Sequence, residues 1–278
     1  MIDLHTHTTA SDGRCSPADL VARAVRAGVQ VLALTDHDTT AGCAAAAAAC
    51  RHAGVTFVPG IEITAVLDGD DVHMLGYFID TDSTDLAAFL AEQRMRRIGR
   101  VRRMVARLAD AGIVLDADAI VRPAEEDMTR SAGRPWIARA LLSDGHVTST
   151  KEAFDLWLGS GRPAFVPRDG ASPAEVVARI HGAGGLASLA HPVLVGRDAL
   201  VGELAGAGLD ALEVYHWKHD AAATMRYLGL ARAHRLLVTG GSDFHGDEAH
   251  GPQHPGAVAL PEHAWAAFAA AGAGRARS

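Results

Sequence analysis

The chain has 278 residues, a formal net charge of −7, 49% hydrophobic residues and 21% charged ones. That length is long for one average domain and short for two, and the composition supports a sizeable core, so global disorder is excluded and a general nucleic-acid coat does not fit. No run of roughly 18 apolar residues occurs, so a membrane-spanning helix is not expected.

The start, Met1-Ile2-Asp3-Leu4-His5, shows neither a basic n-region nor an apolar h-region, and the expectation is a cytoplasmic protein. Fifteen histidines stand out. So does the basic set, in which only Lys151 and Lys218 are not arginine; with so much alanine, that bias suits a GC-rich genome more than a function. Cys15, Cys43 and Cys50 form no CxxC pair and are assigned to neither a disulfide nor a metal.

In chain order, short apolar runs alternate with helical patterns. Strands are expected at Ile2–His5, Val31–Thr35, Thr56–Thr64, Val72–Phe78, Leu186–Ala190, Ala211–Tyr215 and Leu236–Gly240. Helices are expected at Pro17–Ala27, Ala41–His52, Pro173–Ala183 and Met225–Ala233. This alternation implies an α/β fold with a parallel sheet, open or closed. Ser16-Pro17-Ala18-Asp19 starts one helix with an N-cap serine, a proline at the first helical position and an acid at the third, and Ser172-Pro173-Ala174-Glu175 repeats the device. The likeness continues through SPADLVARAVRAG at 16–28 and SPAEVVARIHGAG at 172–184, each followed by a strand that ends near His37 or His191. That is too little for a repeat protein but describes two equivalent βα units whose strand ends point the same way.

From about Thr84 to Pro167 the strand signals thin out. A long helix over Asp85–Ala111 is rich in arginine, read as a solvated charged face, and shorter helices follow near Asp116–Arg122, Arg134–Ser143 and Lys151–Leu158. The expectation is a barrel formed by residues 1–84 and 168–268 with a mostly helical insertion, or cap, over 85–167. The tail Ala269–Ser278 is expected to fray.

The chemistry sits at the strand ends. His5 and His7 alternate on one strand and so share a face, where two imidazoles can reach one metal ion; taken alone, the pair reads equally as two unrelated surface histidines. Asp36 and His37 close the second strand. Glu62 lies inside an apolar run and needs a cation or a proton if buried, although an arginine would serve. His73 is polar within another apolar run and, taken alone, reads more readily as a core histidine than as a ligand. His191 precedes Pro192, which biases it to extended geometry. Asp243 and His245 repeat the alternate spacing, and Asp12 lies in the first loop, where it also reads as a turn residue. What favours metal ligation is recurrence: nearly every expected strand carries His, Asp or Glu near its C-terminal end, the edge where parallel barrels build active sites. Nine such donors exceed the needs of one ion. Mixed nitrogen and oxygen donors without cysteine point to Mn²⁺, Zn²⁺ or Fe²⁺.

The segments MIDLHTHTTASDG, LALTDHDT, PGIEIT, VHMLGYF, LASLAHP and GGSDFHG resemble the successive motifs of the PHP (polymerase and histidinol phosphatase) family, from residue 1 to about 251. The resemblance implies a distorted seven-stranded (β/α) barrel related to amidohydrolases. It implies three divalent ions, Mn²⁺ foremost: one held by His5, His7, Glu62 and Asp243, a second by Glu62 with His73 and His191, a third by Asp12, His37 and His245. It also implies a hydrolase of phosphoesters. The helical insertion and Gly133-Arg134-Pro135-Trp136-Ile137-Ala138-Arg139 are similar to the nucleotide branch of the family, whose activity is removal of the 3′-phosphate from nucleoside 3′,5′-bisphosphates such as adenosine 3′,5′-bisphosphate, giving AMP and phosphate. Hydroxide supplied at the metal cluster would attack phosphorus. His191 or Asp36 is the candidate for stabilising the leaving oxygen.

A bisphosphate needs a second anion grip. Arg130, Ser131 and Arg134 at an expected helix entrance suit it, and Lys218 after a strand end is the other candidate; the arginines read equally as solvated charges. His216 or Trp136 is placed to stack on a base, with packing the simpler role for Trp136. The partner expected is a small nucleotide, with short RNA as an extension, no membrane and no stable nucleic-acid complex. The alternatives are a 5′-to-3′ exonuclease on short RNA or RNA 5′ ends, and a catalytically silent metal-binding module, which the filled ligand positions disfavour. Histidinol phosphatase is disfavoured by the insertion and the arginine pair, which resemble the nucleotide branch, and a C–N hydrolase of the wider superfamily stays open as an alternative.

Overall fold

The computed structural model describes residues 1–127, 130, 132–246 and 251–275. These fall into two compact units, one of residues 1–67, 71–88 and 172–278 and one of 68–70 and 89–171.

The first unit is a seven-stranded α/β barrel. β1 (Ile2–Asp3) leads to α1 (Pro17–Arg26), β2 (Val31–Leu34), α2 (Cys43–Ala53), then the long β3 (Thr56–Leu67) and β4 (Asp70–Tyr77). β1, β2 and β3 run parallel, with Ile2 beside Val31 and Val31 beside Thr56. β4 is the exception to the expected parallel sheet: it runs antiparallel to β5 (Leu186–Leu189), Met74 facing Leu189 and Tyr77 facing Leu186. The cause is local. Only Asp68 and Gly69 separate β3 from β4, both at positive φ (54° and 90°), as a tight hairpin turn requires, and a parallel crossover needs a dozen residues or more.

α3 (Thr84–Asp110) follows β4, and the chain re-enters the barrel through α7 (Pro173–Gly182), once α4 to α6 of the second unit are complete. Ser16 and Ser172 cap α1 and α7 as expected, Ser172 in a reciprocal capping box with Glu175. After β5 come α8 (Pro192–Val195), α9 (Ala199–Gly206), β6 (Ala211–Tyr215), α10 (Ala221–His234), β7 (Leu237–Gly240) and α11 (Glu262–Arg275). β5, β6 and β7 are parallel. The extensions of β1 and β7 close the ring: the N–H of Leu4 donates to Gly240, that of Asp243 to His5 and that of His7 to Phe244. Gly241 makes this closure possible, because a Cβ there would lie 2.3 Å from the backbone nitrogen of His5. Asp3 locks it from inside, accepting from the backbone of His5, Ser242 and Gly256 and from the Ser242 hydroxyl.

The expected fraying of the tail is overturned for Ala269–Arg275, which are helical; 276–278 lie outside the described residues. Phe268 of α11 enters the barrel core beside Ile2, Val31, Val58, Leu75 and Leu186. Its ring meets Tyr77 edge-on at 5.2 Å. Arg275 then ties the helix end down, donating to the carbonyl of Gly185 and to Asp210. A second core joins α1 and α2 to β2 through Leu20, Val21, Ala24, Ala46, Cys50, Leu32 and Leu34.

The second unit is helical. α3 carries Ile98, Val101, Met104, Val105 and Leu108 into a core shared with α4 (Ala117–Glu126), α5 (Arg134–Ser143) and α6 (Thr150–Ala153), the last continuing as a π-helical turn over Phe154–Leu158. The arginines of α3 are not uniformly a solvated face. Arg102 pairs with Asp118 and Glu125, whereas Arg100 is buried and donates to the carbonyl of Val166, and Arg107 donates to that of Phe165.

Phe268→Ala removes the plug of a closed barrel and should destabilise the protein by about 3–5 kcal/mol. Urea unfolding measures this; a loss below about 1 kcal/mol would mean that α11 docks without supporting the barrel core.

Candidate metal centre

Glu62 is the hub. It sits in the middle of β3, and its carboxylate is 1% exposed. Five imidazoles face it: His37 at 3.0 Å and His5 and His7 at 3.3 Å from Oε2, His73 at 2.9 Å and His191 at 3.1 Å from Oε1. Each arrives by a strand end. His5 and His7 alternate along the extension of β1, while Thr6 between them turns the other way and donates to the carbonyl of Ala33. His37 follows β2 and bridges to Glu62 of the neighbouring strand. His73 lies near the start of β4, not near a C-terminal end as the strand pattern implied. Because β4 is reversed, its start reaches the same edge as the ends of its neighbours.

Asp243 and His245 extend β7. Asp243 Oδ1 lies 3.4 Å from His5 Nε2, 3.3 Å from His7 Nε2 and 3.5 Å from His245 Nδ1. Asp12, the exposed member, approaches His245 at 3.3 Å and His37 at 3.7 Å. All nine side chains expected as ligands therefore meet at one end of the barrel. Among the described residues, His7, Asp12, His37 and His245 form one group of donor atoms within 4.8 Å of one another, His5, His7 and Glu62 a second, and His37, Glu62 and His73 a third.

The donor set fits divalent ions. His5 Nε2, both ring nitrogens of His7, His37 Nδ1, His191 Nδ1 and Glu62 Oε2 are buried without a hydrogen-bond partner. Orphaned polar atoms at such density are costly unless a cation takes their lone pairs. The electrostatics agree. Burial opposes charge on His7, yet the Asp243 and Glu62 carboxylates, each 3.3 Å from its Nε2, lift its pKa to about 10. His5 rises well above its ordinary value for the same reason, with Glu213 the largest charge against it. Burial pulls His37 down to about 4, leaving it neutral. Burial pushes Glu62 and Asp243 up, but the surrounding imidazoles win and hold both well below the usual carboxylate range. The site thus demands positive charge, supplied by protons or by metal.

Three residues orient the ligands that strand-end reasoning did not find in that role. Glu213 of β6 is fully buried; it accepts from His5 Nδ1 at 2.9 Å and from the backbone N–H of His191 at 2.6 Å, so the Nε2 lone pair of His5 faces the cluster. Its signal was an acid inside an apolar strand, the same as that of Glu62. Asp3, already described, was equally legible. His216, expected to stack on a base, is instead buried, and its Nε2 donates to Asp243 at 3.2 Å. It groups with His5 and Asp243 as a possible ligand, but its Nδ1 accepts from the backbone of Lys218, which fixes Nε2 as the protonated nitrogen.

Two further expectations change. Asp36, a candidate for the leaving-group role, is 1% exposed and accepts from Thr8 N–H, Thr8 Oγ1 and Ser11 Oγ at 2.7–2.8 Å. It shapes the loop that presents Asp12. His191 is not extended: φ is 23° and ψ is 62°, because Glu213 holds its N–H while its ring is drawn to Glu62. Of the substrate candidates, Lys218 is exposed after β6. Arg130 and Arg134 belong to the second unit, where their guanidinium carbons lie 5.7 Å from the Trp136 ring centroid and 5.6 Å from that of Phe154. Ser131 lies outside the described residues.

The PHP domain model matches residues 3–149. Over 249 residues the chain is 36% identical to a 3′,5′-nucleoside bisphosphate phosphatase of Chromobacterium violaceum, covering 88% of this chain and 87% of that one. Over 250 residues it is 36% identical to the 5′-3′ exoribonuclease Rnm of Escherichia coli, covering 87% and 84%. A solved chain of Bifidobacterium adolescentis, assigned as a metal-dependent phosphoesterase, superposes with a TM-score of 0.78 at 33% identity over 96% of this chain and 95% of that one. Fold and site together define a metal-dependent phosphoesterase. The chain belongs to the PHP family.

Two outcomes follow from the site. The folded pKa values of His5 and His7 lie above the unfolded value of 6.5, so their contribution to stability is full below pH 6.5 and is lost as pH rises above it, for His7 toward about 10. Chelator-treated protein should therefore melt progressively lower between pH 6.5 and 9, and added Mn²⁺ should raise the melting temperature more at pH 9 than at pH 6, since metal displaces those protons. A melting temperature insensitive to both would exclude this charge balance. Separately, Glu213→Gln should weaken metal affinity about 10–100-fold without unfolding the barrel, read by metal titration and circular dichroism.

Proposed function

We propose that the chain removes the 3′-phosphate from nucleoside 3′,5′-bisphosphates, converting adenosine 3′,5′-bisphosphate to AMP and phosphate. The observation that carries the reading is the convergence of nine imidazole and carboxylate side chains at one end of the barrel, five of the imidazoles around Glu62, in a chain similar over most of its length to a 3′,5′-nucleoside bisphosphate phosphatase. In this reading His5, His7, Glu62 and Asp243 hold one divalent ion, Glu62, His73 and His191 a second, and Asp12, His37 and His245 a third, with Mn²⁺ the preferred occupant and Zn²⁺ or Fe²⁺ the alternatives. Divalent ions in such a site acidify water and draw charge from phosphoryl oxygens.

The chain's own groups do the rest. Glu213 keeps His5 and His191 in register, and His216 holds Asp243 from the outside. Asp36 is spent on the first loop and His191 serves as a ligand in this reading, so charge on the departing 3′-oxygen would be met by the divalent ions of the centre. The remote 5′-phosphate is assigned to Arg130 and Arg134, with Lys218 the further cation; a planar guanidinium matches phosphate in bidentate fashion.

The similarity to the Escherichia coli exoribonuclease favours a second reading, in which the same centre trims short RNA from its 5′ end. A nucleotide bearing both phosphates resembles such an end, so one site accommodates both substrates. The two readings separate on relative kcat/KM for adenosine 3′,5′-bisphosphate and for a 5′-phosphorylated dinucleotide.

Protein loaded with Mn²⁺ should release phosphate from adenosine 3′,5′-bisphosphate, and Arg134→Ala should raise KM about tenfold or more at unchanged metal content, the loss of a charge-assisted grip. Absence of phosphate release with Mn²⁺, Zn²⁺ and Fe²⁺ alike would reject the substrate assignment.

A further inference from the structure

The turn after β6 does more than deliver His216. The N–H of His219 donates to the carbonyl of His216, and His219 Nδ1 donates back to the carbonyl of Val214. With the bond from Lys218 N–H to His216 Nδ1, these fix the turn in one shape. His216 and His219 point inward and are buried. Trp217 and Lys218 between them point out.

Trp217 is 38% exposed and is the one aromatic among the exposed large apolar side chains of the described residues. Its ring centroid lies 6.0 Å from that of His216, which itself touches Asp243, so this indole stands at the rim of the metal centre. Lys218 Nζ rests 3.7 Å from the ring centroid and has no carboxylate partner among the described residues. The same turn opens on a cavity of about 310 Å³, with Val193, Ala222 and Ala223 as its apolar walls, Lys218 and Arg226 as its cations and Asp220 as its acid. Val193 follows the ligand His191 by two residues.

We propose that Trp217 is the stacking platform for the nucleobase of the substrate, with Lys218 the adjoining cation for a phosphate. The proposal rests on the nucleotide reading above. An exposed indole beside a phosphoester site offers a flat π-face, and base stacking on such a face tolerates any base. Lys218 now occupies the face that a base would take. The ammonium exchanges the ring for a phosphate oxygen when the base arrives, a trade of a weak cation–π contact for a charge-assisted hydrogen bond. Discrimination among bases is therefore shallow, while discrimination against base-free phosphate esters is strong.

The test uses Mn²⁺-loaded full-length protein. Trp217→Ala should raise KM for adenosine 3′,5′-bisphosphate about tenfold with kcat nearly unchanged, Trp217→Phe should restore most of it, and ribose 5-phosphate should inhibit both proteins equally. Independently of turnover, AMP should quench tryptophan emission in the wild type and not in Trp217→Ala, and ribose 5-phosphate should quench neither. Equal KM and equal quenching in wild type and Trp217→Ala would overturn the platform while leaving the phosphatase assignment standing. Should the wild type hydrolyse no nucleotide, an AMP quench that depends on Trp217 would still support the platform, and the absence of that quench would refute it.

Discussion

A buried carboxylate that must be neutralised organises this molecule. Removing Glu62 from water without compensation costs several kcal/mol, and the barrel meets that cost with five imidazoles drawn from four different strands or their extensions. No local segment could gather them. The N–H of Glu62 donates to the carbonyl of Asp36, and its own carbonyl accepts from Asp38, so the hub is stitched by backbone to the extension of β2. The reversed strand β4 then brings His73 to the opposite flank. Fold closure and charge balance are one problem here, since a barrel that failed to close between β1 and β7 would separate His5 and His7 from Asp243.

Much of this was legible in the residues because strands announce themselves by short apolar runs, and a polar residue inside such a run is a conspicuous expense. All seven expected strands exist, and all nine expected ligands converge. The same logic applies to Glu213, flanked by Leu212 and Val214, which shows that the signal marks burial and not a particular role. Asp36 failed in the other direction: it stands one residue before a ligand, yet its carboxylate is consumed by Thr8 and Ser11. Which oxygen serves which donor is a tertiary fact with no local trace. The antiparallel β4 was readable from the seven residues, 65–71, left between the two expected strands, since no crossover fits in so few. The helix Glu262–Arg275 was not, because its alanine-rich sequence has no clear apolar stripe and only Trp265 and Phe268 mark the buried side.

The backbone is bent where these donor side chains converge. Asp38, His191 and Asp243 all have positive φ, at 53°, 23° and 53°, a conformation that costs a non-glycine residue on the order of 1–3 kcal/mol. Each strained residue is fastened by its own N–H to a member of the same constellation: Asp38 to the carbonyl of Glu62, His191 to the carboxylate of Glu213, Asp243 to the carbonyl of His5. The strain and its compensation are thus local to the site.

This interlocking divides the labour of the molecule. Ligand positions cannot drift separately, because moving His5 disturbs Glu213 through its ring and Asp243 through its carbonyl, and Glu213 in turn holds His191. Variation in what the centre accepts must come from side chains that leave these bonds intact. Trp217 and Lys218 meet that condition: their turn is held by main-chain donors and by the two histidines on either side, while their own side chains hold no ligand in place. In the proposed reading, the ring of strand ends keeps one chemistry while the turn after β6 sets the shape of what is presented to it.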